Sequence, residues 1–494
     1  MLPGAVILKA GLVLAWPPSD SWQHAALRRI SPLAPGRTPR HIDWMTRNLT
    51  YSSHARATLV LGLPLIGSHL AQMALHVVDT VMMGWYGMVP LAAVVLGSAS
   101  FFIVWVLGAG FAKAVMPMVA VALARGDETQ VRRDTRMGLW LSILYGVAVY
   151  PLFWWSGPVL DALGQRPEVV EIAEGFLRIA GLGMAPTLCV AVLQSYLAAL
   201  GRTQAVMWVT LAAVGLNAAL AWALIFGNWG APELGARGAA LASLIVQVAS
   251  LLALWAYAAR LPALRRFHLF QRFWRPDWAA FAQVQRLGWP IGLTSVAEGG
   301  LFHASALMMG WVGTAELAAH GIALEAASLA FMVHVGLSSA ATIRVAGFHG
   351  TGEARALRQA AAVATVLSVV VAAVVIWLFL AWPELLIGLF LDETKPESGA
   401  ILAFGVTLLA LAALFQLADA MQVMALGLLR GLQDTRVPMA LAAVSYWVIG
   451  VPVSYALAFP LGYGGVGLWL GLVIGLVAAG ASLMLRFWAL APKG

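Results

Sequence analysis

Two stretches decide how this chain folds, "LPLIGSHLAQMALHVVDTVMMGW" (63–85) and "WPIGLTSVAEGGLFHASALMMGW" (289–311). Each is a mostly apolar run of about 20 residues, the length that crosses the hydrocarbon core of a bilayer as a helix. They align without a gap, sharing Pro64 with Pro290 and the same Met-Met-Gly-Trp ending. Each carries one acid, but at a different level. Asp79 stands opposite Ser305, while Glu298 stands opposite Gln72. Seven residues separate the two positions, so both lie on nearly one helix face, about 10 Å apart along the axis.

Composition extends that reading to the whole chain. The 494 residues are 61% hydrophobic and 11% charged, with a mean hydropathy of +0.84. Soluble domains carry roughly 25% charged residues, so this chain is too apolar to be wrapped in a water-facing shell. The alternation of a membrane β-barrel is absent. The single cysteine, Cys189, lies within an apolar run and provides neither a disulfide framework nor a thiolate metal site.

Twelve spans are predicted, at 57–83, 91–122, 137–158, 172–200, 205–227, 237–259, 282–311, 317–347, 359–382, 400–428, 436–459 and 464–487. The net charge of +8 is distributed as a topology signal, not as a nucleic-acid stripe. Connections after even-numbered spans are basic ("RGDETQVRRDTR", "GRTQ", "RLPALRRFHLFQRFWRPDW", "GTGEARALR", "RGLQDTR"), whereas Arg and Lys are nearly missing from those after odd-numbered ones ("YGMVP", "LDALGQRPEVVE", "GNWGAPELGAR", "VGTAE", "LDETKPESG", "LGYGG"). By the positive-inside rule both termini are cytoplasmic. The opening segment differs. "GAVILKAGLVLAW" is short and interrupted by Lys9, and no signal-peptide cleavage site follows it. Residues 1–54 are read as a disordered extension, with Met45 an alternative start.

The basic linker at 260–281 separates two bundles of six spans, 55–259 and 282–494. "GAGFAKAVMPMVAVALARGDE" (108–128) aligns with "HVGLSSAATIRVAGFHGTGEA" (334–354) in the register of the opening pair, and "LGRTQAVMWVTLAAV" (200–214) resembles "LQDTRVPMALAAV" (432–444). An even number of spans gives both halves the same orientation. The repeat is therefore of the parallel type, related by a pseudo-two-fold axis along the membrane normal, with a site between the halves near mid-membrane.

Ionisable residues inside spans are candidate functional groups because their burial must be compensated. Asp79, Glu298 and Asp419 are the clearest. Glu298 and Asp419 fall in one half, placed either to share a proton or to bracket a sodium ion. Lys113, opposite Ser339 in the repeat, is either the counter-ion of Asp79 or a side chain snorkelling to the interface. Glu325 either lines a cavity or makes a structural hydrogen bond. His76, His303 and His334 read as packed or interfacial, and Arg344, Arg355 and Arg430 as charges at the cytoplasmic ends. The cavity-facing charges are thus expected to be mostly acids. No zinc-hydrolase, G-x-S-x-G or Walker motif appears.

"VVDTVMMG" (77–84), "FGNWGAPELGARG" (226–238), "AAHGIALEAASLAFM" (318–332), "TIRVAGFHGTGE" (342–353) and "DAMQVMALGLLRGLQDT" (419–435) together resemble the multidrug and toxic compound extrusion (MATE) transporters of the NorM-like branch. The likeness covers residues 55–488. It implies two six-helix bundles around a V-shaped cavity and antiport of organic cations or aromatic drugs against H+ or Na+, with no other cofactor. The matched positions are Glu298 and Asp419 for cation binding, Na+ included, and Asp79 with nearby Asn217 for protonation. Gln72, Glu325, Phe415, Gln422 and Lys113 are further candidates for coupling or for lining the cavity.

The chain also departs from the pattern. Phe415 replaces a tyrosine one turn before Asp419, Ala221 replaces an asparagine, and Gly321 follows His320 where the pattern has glutamine. Loss of the phenol removes a candidate sodium ligand, while the ring face can still attract a cation and Glu325 offers a further carboxylate, which leans toward protons or leaves either ion. The expected protein is a monomer in a bacterial inner membrane, surrounded by lipid and binding no nucleic acid. The alternatives are a lipid-linked saccharide flippase of the same superfamily, or an intramembrane enzyme.

Overall fold

The computed structural model describes residues 50–391 and 398–493. The expected extension up to residue 49 and the alternative start at Met45 lie outside them. The described residues form helices joined by short loops, and the twelve long elements are numbered here in chain order. The first half contains α1 (Tyr51–Tyr86), α2 (Met88–Ala124), α3 (Glu128–Trp154), α4 (Pro167–Ala199), α5 (Thr203–Phe226) and α6 (Ala236–Arg260). The second contains α7 (Trp278–Val312), α8 (Thr314–Thr351), α9 (Ala354–Ala381), α10 (Ser398–Gly431), α11 (Arg436–Ala458) and α12 (Gly464–Leu490). Helix α1 starts at Tyr51, so residues 51–54, expected to be extension, are helical.

Ten of these helices, plus the bent α4, are long and apolar enough to cross a membrane. Helix α7, at 35 residues, is long enough but less apolar, because Gln283, Gln285, Arg286, Glu298 and five glycines dilute it. The bend in α4 is 45° and falls at Gly183, where Pro186 removes a backbone donor and crowds the carbonyl four residues earlier. Lipid solvation explains the outward faces, where Leu63, Val147, Leu252, Val366 and Leu485 are exposed. These helices hide their backbone polar groups internally, so such side chains need no cover.

The repeat is visible in three dimensions. Gly87 and Gly313, 226 positions apart, both end a helix in extended backbone (φ 163° and 171°). Short helices Ser156–Ala162 and Pro383–Gly388 follow α3 and α9. Gly238 approaches the backbone of Leu224 as Gly467 approaches that of Leu457. One element breaks the symmetry. Helix α11 contains a π-helical stretch, Val444–Gly450, while α5 is regular.

The halves meet through α1 and α2 on one side and α7 and α8 on the other. A Cβ on Gly110 would collide with the backbone of Gly288 and Gly292, and one on the equivalent Gly336 with the backbone of Ile66. Gly350 similarly meets Val121. All of these approaches lie toward the end that carries the basic loops. Toward the other end Trp85, Met88, Leu307, Trp311 and Leu329 are exposed. The halves are thus in close backbone contact at the basic end, which closes the cleft between them there.

Candidate functional site

Four polar assemblies line the halves at the two levels predicted by the opening pair. At the upper level of the first half, Asp79 on α1 accepts hydrogen bonds from Asn217 Nδ2 of α5 (2.6 Å) and Ser243 Oγ of α6 (3.1 Å), one on each carboxylate oxygen. At the corresponding level of the second half, Ser305 sits 3.4 Å from His320 Nε2. The His320 ring also accepts from Trp469 Nε1 at Nδ1, 3.0 Å away. That acceptor role places the ring proton, when neutral, on Nε2.

At the lower level of the first half, Gln72 contacts Gln194 at 3.4 Å, and Gln194 donates to Thr210, which in turn meets Ser68 at 3.3 Å. The second half has a charge here instead. Glu298 accepts from Gln422 Nε2 of α10 at 3.0 Å, and the same amide donates to the Tyr446 hydroxyl at 2.6 Å. Tyr446 lies in the π-helical stretch of α11. Stretches of this kind recur at functional sites because they break the helical register and re-aim side chains.

Asp419 lies one turn before Gln422 and is 1% exposed. Neither of its carboxylate oxygens has a hydrogen-bond partner, and Gln422 Oε1 is also unpartnered. Glu298 is within electrostatic reach, but no hydrogen bond joins the two acids. Phe415, one turn earlier on α10, is buried edge-on against Phe302 and Trp469, with centroids 6.0 and 5.8 Å away. Its ring therefore connects the lower level of this half to the His320–Trp469 pair above.

Four expectations need correction. Lys113 is not the counter-ion of Asp79, whose partners are Asn217 and Ser243. It is accessible to solvent and interacts electrostatically with Glu298, Arg430 and His69. Arg430 is not merely an end charge, because it too interacts with Glu298. The closed end of the cleft is thus mixed in sign, not mostly acidic. Arg344 is 1% exposed. From α8 it donates across the junction to the His54 carbonyl (2.6 Å) and Thr58 Oγ1 (3.4 Å) of α1, and meets His54 Nδ1 at 2.6 Å.

Other side chains are as plainly placed. Glu325 is exposed, and among the described residues it makes no hydrogen bond or ion pair. It lies eleven residues from Gly336, which is three helical turns, so it shares the α8 face that meets α1 at Ile66. His334 is buried with Nδ1 2.9 Å from Ser368 Oγ, and His303 Nδ1 lies 2.7 Å from the Gly299 carbonyl. His76 is exposed. Among the described residues no cluster of three His, Cys, Asp or Glu side chains is placed to hold a metal ion. Sequence reasoning missed Ser243, Tyr446 and the roles of Arg430 and Arg344. Only an unexplained polar residue within a span marked the first two.

A family model for MatE matches residues 64–223 and 290–456, one match in each half. A probable multidrug resistance protein NorM of Rhizobium meliloti (strain 1021) is 46% identical over 89% of this chain and 94% of its own length. Its counterpart in Agrobacterium fabrum is 44% identical over 90% and 96%. A crystal structure of MATE in complex with MaL6 superposes with TM-score 0.82 at 20% identity, covering 92% of this chain and 98% of that one. A structure described as the outward-facing conformation of a multidrug resistance MATE family transporter gives 0.81 at 19% identity over 92% and 98%. At those identities the superpositions establish the fold, and the sequence matches establish the lineage. With two halves matched by one family model and near-full-length relatives above 40% identity, the chain belongs to the MATE family, in its NorM-like branch.

Proposed function

We propose that this protein is a cation-coupled multidrug antiporter, driven by H+ or Na+, that exports cationic or aromatic compounds across a bacterial inner membrane. The observation that carries the reading is Asp419, buried beside Glu298 with both carboxylate oxygens unpartnered. An ionised carboxylate left so costs several kcal/mol, and a proton or bound cation removes that cost. The oxygens available to a sodium ion are those of Glu298, Asp419, Gln422 Oε1 and the Tyr446 hydroxyl, while Phe415 contributes only a ring face. Asp79 forms the second carboxylate site, at the upper level of the other half.

With both termini cytoplasmic, as the basic loops indicate, the closed end of the cleft faces the cytoplasm. Cations entering from outside compete with an organic cation for the same negative charges, so their binding releases the drug. Coupling requires only that competition together with two alternately open states of the halves. Lys113 and Arg430 favour the second reading, a flippase for lipid-linked saccharides, since cations would hold a pyrophosphate.

The test is efflux from proteoliposomes with H+ and Na+ gradients imposed separately, on the wild type and on Asp79→Asn, Glu298→Gln and Asp419→Asn. Ion-driven efflux of an organic cation, lost or uncoupled in at least one variant, is expected. Coupling unaltered in all three sinks the proposal, and transport of a lipid-linked sugar without an ion gradient favours the flippase.

A further inference from the structure

At the basic end, away from the cleft, the start of α3 and the linker before α7 enclose a cavity of about 410 Å³ lined by Thr129, Arg132, Arg133, Arg136, Arg272 and Arg275. Asp277 also borders it, but this acid is committed. Arg133 grips it with both prongs, Nη2 reaching Oδ1 at 3.1 Å, and Asp277 also caps α7 through Ala280 N. Arg132, Arg272 and Arg275 form no ion pair among the described residues. Arg136 is 8% exposed. Its Nη1 donates to the backbone carbonyls of Gln271 and Arg272 (3.3 and 3.1 Å), and its Nε has no acceptor. Four guanidinium groups thus surround one cavity with no ion pair of their own among the described residues, and the single carboxylate that borders it, Asp277, is already gripped by Arg133 while acting on Arg136 at longer range.

The linker is held in this shape at some strain. Arg272 has φ +54° and His268 φ +46°, backbone that non-glycine residues adopt rarely. Trp140 fixes the linker by donating from Nε1 to the Phe273 carbonyl at 2.9 Å. Beside the cavity, Trp274, Trp278 and Trp255 are exposed, with Trp255 against Phe270 at 5.6 Å. Exposed tryptophans next to arginines mark the depth of lipid headgroups.

We infer that this arginine cavity binds the phosphate of an anionic phospholipid headgroup from the leaflet on the basic side. The ligand class follows from the donors, since guanidinium forks match phosphate oxygens, and the source follows from the flanking tryptophans. A basic pocket at the cytoplasmic face of a membrane protein is the usual receptor for such headgroups. A bound lipid would fix the linker that joins the two halves.

The test uses the full chain, purified in detergent, with dioleoylphosphatidylglycerol and dioleoylphosphatidylcholine as probes and bound lipid counted by native mass spectrometry. The pocket variant is Arg132→Gln/Arg272→Gln/Arg275→Gln, which spares the buried Arg136. The control, Arg125→Gln/Arg202→Gln/Arg355→Gln, removes equal charge from other loops of the same end. Expected is one phosphatidylglycerol retained by the wild type and the control but bound at least about tenfold more weakly by the pocket variant. Phosphatidylcholine should not be retained, and millimolar inorganic phosphate should not displace the lipid. Equal retention by all three proteins, equal loss in the control, retention of phosphatidylcholine, or displacement by inorganic phosphate overturns the inference. Native-like melting of the pocket variant shows that a loss reports on binding and not on folding. If the variant does not melt like the wild type, the wild-type preference for phosphatidylglycerol and its resistance to inorganic phosphate decide.

Discussion

Arg344 on α8 donates to the backbone carbonyl of His54 at 2.6 Å and thereby ties the second half of the molecule to the first turn of α1. The guanidinium is buried, crosses the junction of the halves, and stands 5.8 Å from the Phe348 ring. A charge-assisted bond of this kind contributes about 1.5–3 kcal/mol, and it exists only while the basic end is closed. Arg344→Gln should therefore shift the population toward opening at that end. Spin labels at Arg56 and Arg355, both exposed and one on each half, should show a longer-distance population in the variant. Arg344→Lys, which keeps the charge but loses the fork, should fall between. An unchanged distance distribution in Arg344→Gln removes the latch from the account.

Asp419 predicts an unusual pairing of effects. Replacing a buried, unpartnered carboxylate by an amide removes a charge that nothing in the protein compensates, so Asp419→Asn should melt no lower than the wild type in buffer free of alkali cations. Its ion-driven efflux should nevertheless fall at least about tenfold, which is the loss of roughly 1.4 kcal/mol of coupling. Thermal denaturation and vesicle efflux on one preparation decide the matter. A variant that melts much lower shows that the carboxylate is structurally satisfied.

Lys113 and Glu298 give the third prediction. The ammonium interacts with Glu298 without a direct ion pair, so it opposes any cation arriving at the same carboxylate. The repeat supplies the natural replacement, because Ser339 occupies the equivalent position. Lys113→Ser should strengthen sodium binding at Glu298 and Asp419 by about tenfold, the order expected for one unit charge removed at partly screened range. Sodium-dependent thermal shift measures this directly. Unchanged sodium dependence means that Lys113 does not set the local potential.

Much of this architecture was legible in the sequence, for identifiable reasons. Lipid solvation demands long apolar runs, so the helices announced themselves, and duplication preserved Pro64 with Pro290 and Gly87 with Gly313. Asp79 stood out because a charge within a span is rare enough to single out, whereas Asn217 entered only through the family resemblance, and the structure places its amide on Asp79. What stayed hidden depends on geometry that pattern does not encode. Tyr446 reaches Gln422 from a π-helical stretch, and no residue type announces that register change. Ser243 looked like any small residue on a packed helix. Arg344 and Arg430 sit near loop ends in sequence, yet their long side chains reach inward, and only the fold shows which way they extend. Lys113 stayed open between a pairing with Asp79 and a place at the interface, because pattern does not show that the crossing at Gly110 and Gly288 brings Glu298 of the second half within its electrostatic reach.

The final prediction concerns pH and the linker. Asp277 lies outside the spans, and its hydrogen bonds from Arg133, with a smaller contribution from the Ala280 amide, hold its carboxyl below the ordinary carboxylate range against the opposing effect of partial burial. A folded-state value below the unfolded one stabilises the linker at every pH above about 4, the unfolded value. That contribution is lost as pH falls through the lowered folded value, when Asp277 takes up a proton and releases Arg133. The pair is partly exposed, so solvent screens it and the effect stays local. Hydrogen exchange across residues 261–277, corrected for intrinsic rates, should thus be flat from pH 7 to 5 and rise steeply below 4. Asp277→Asn should show the raised exchange already at pH 7, with little further change on acidification. The same rise below pH 4 in the variant as in the wild type would assign the acid response to another carboxylate.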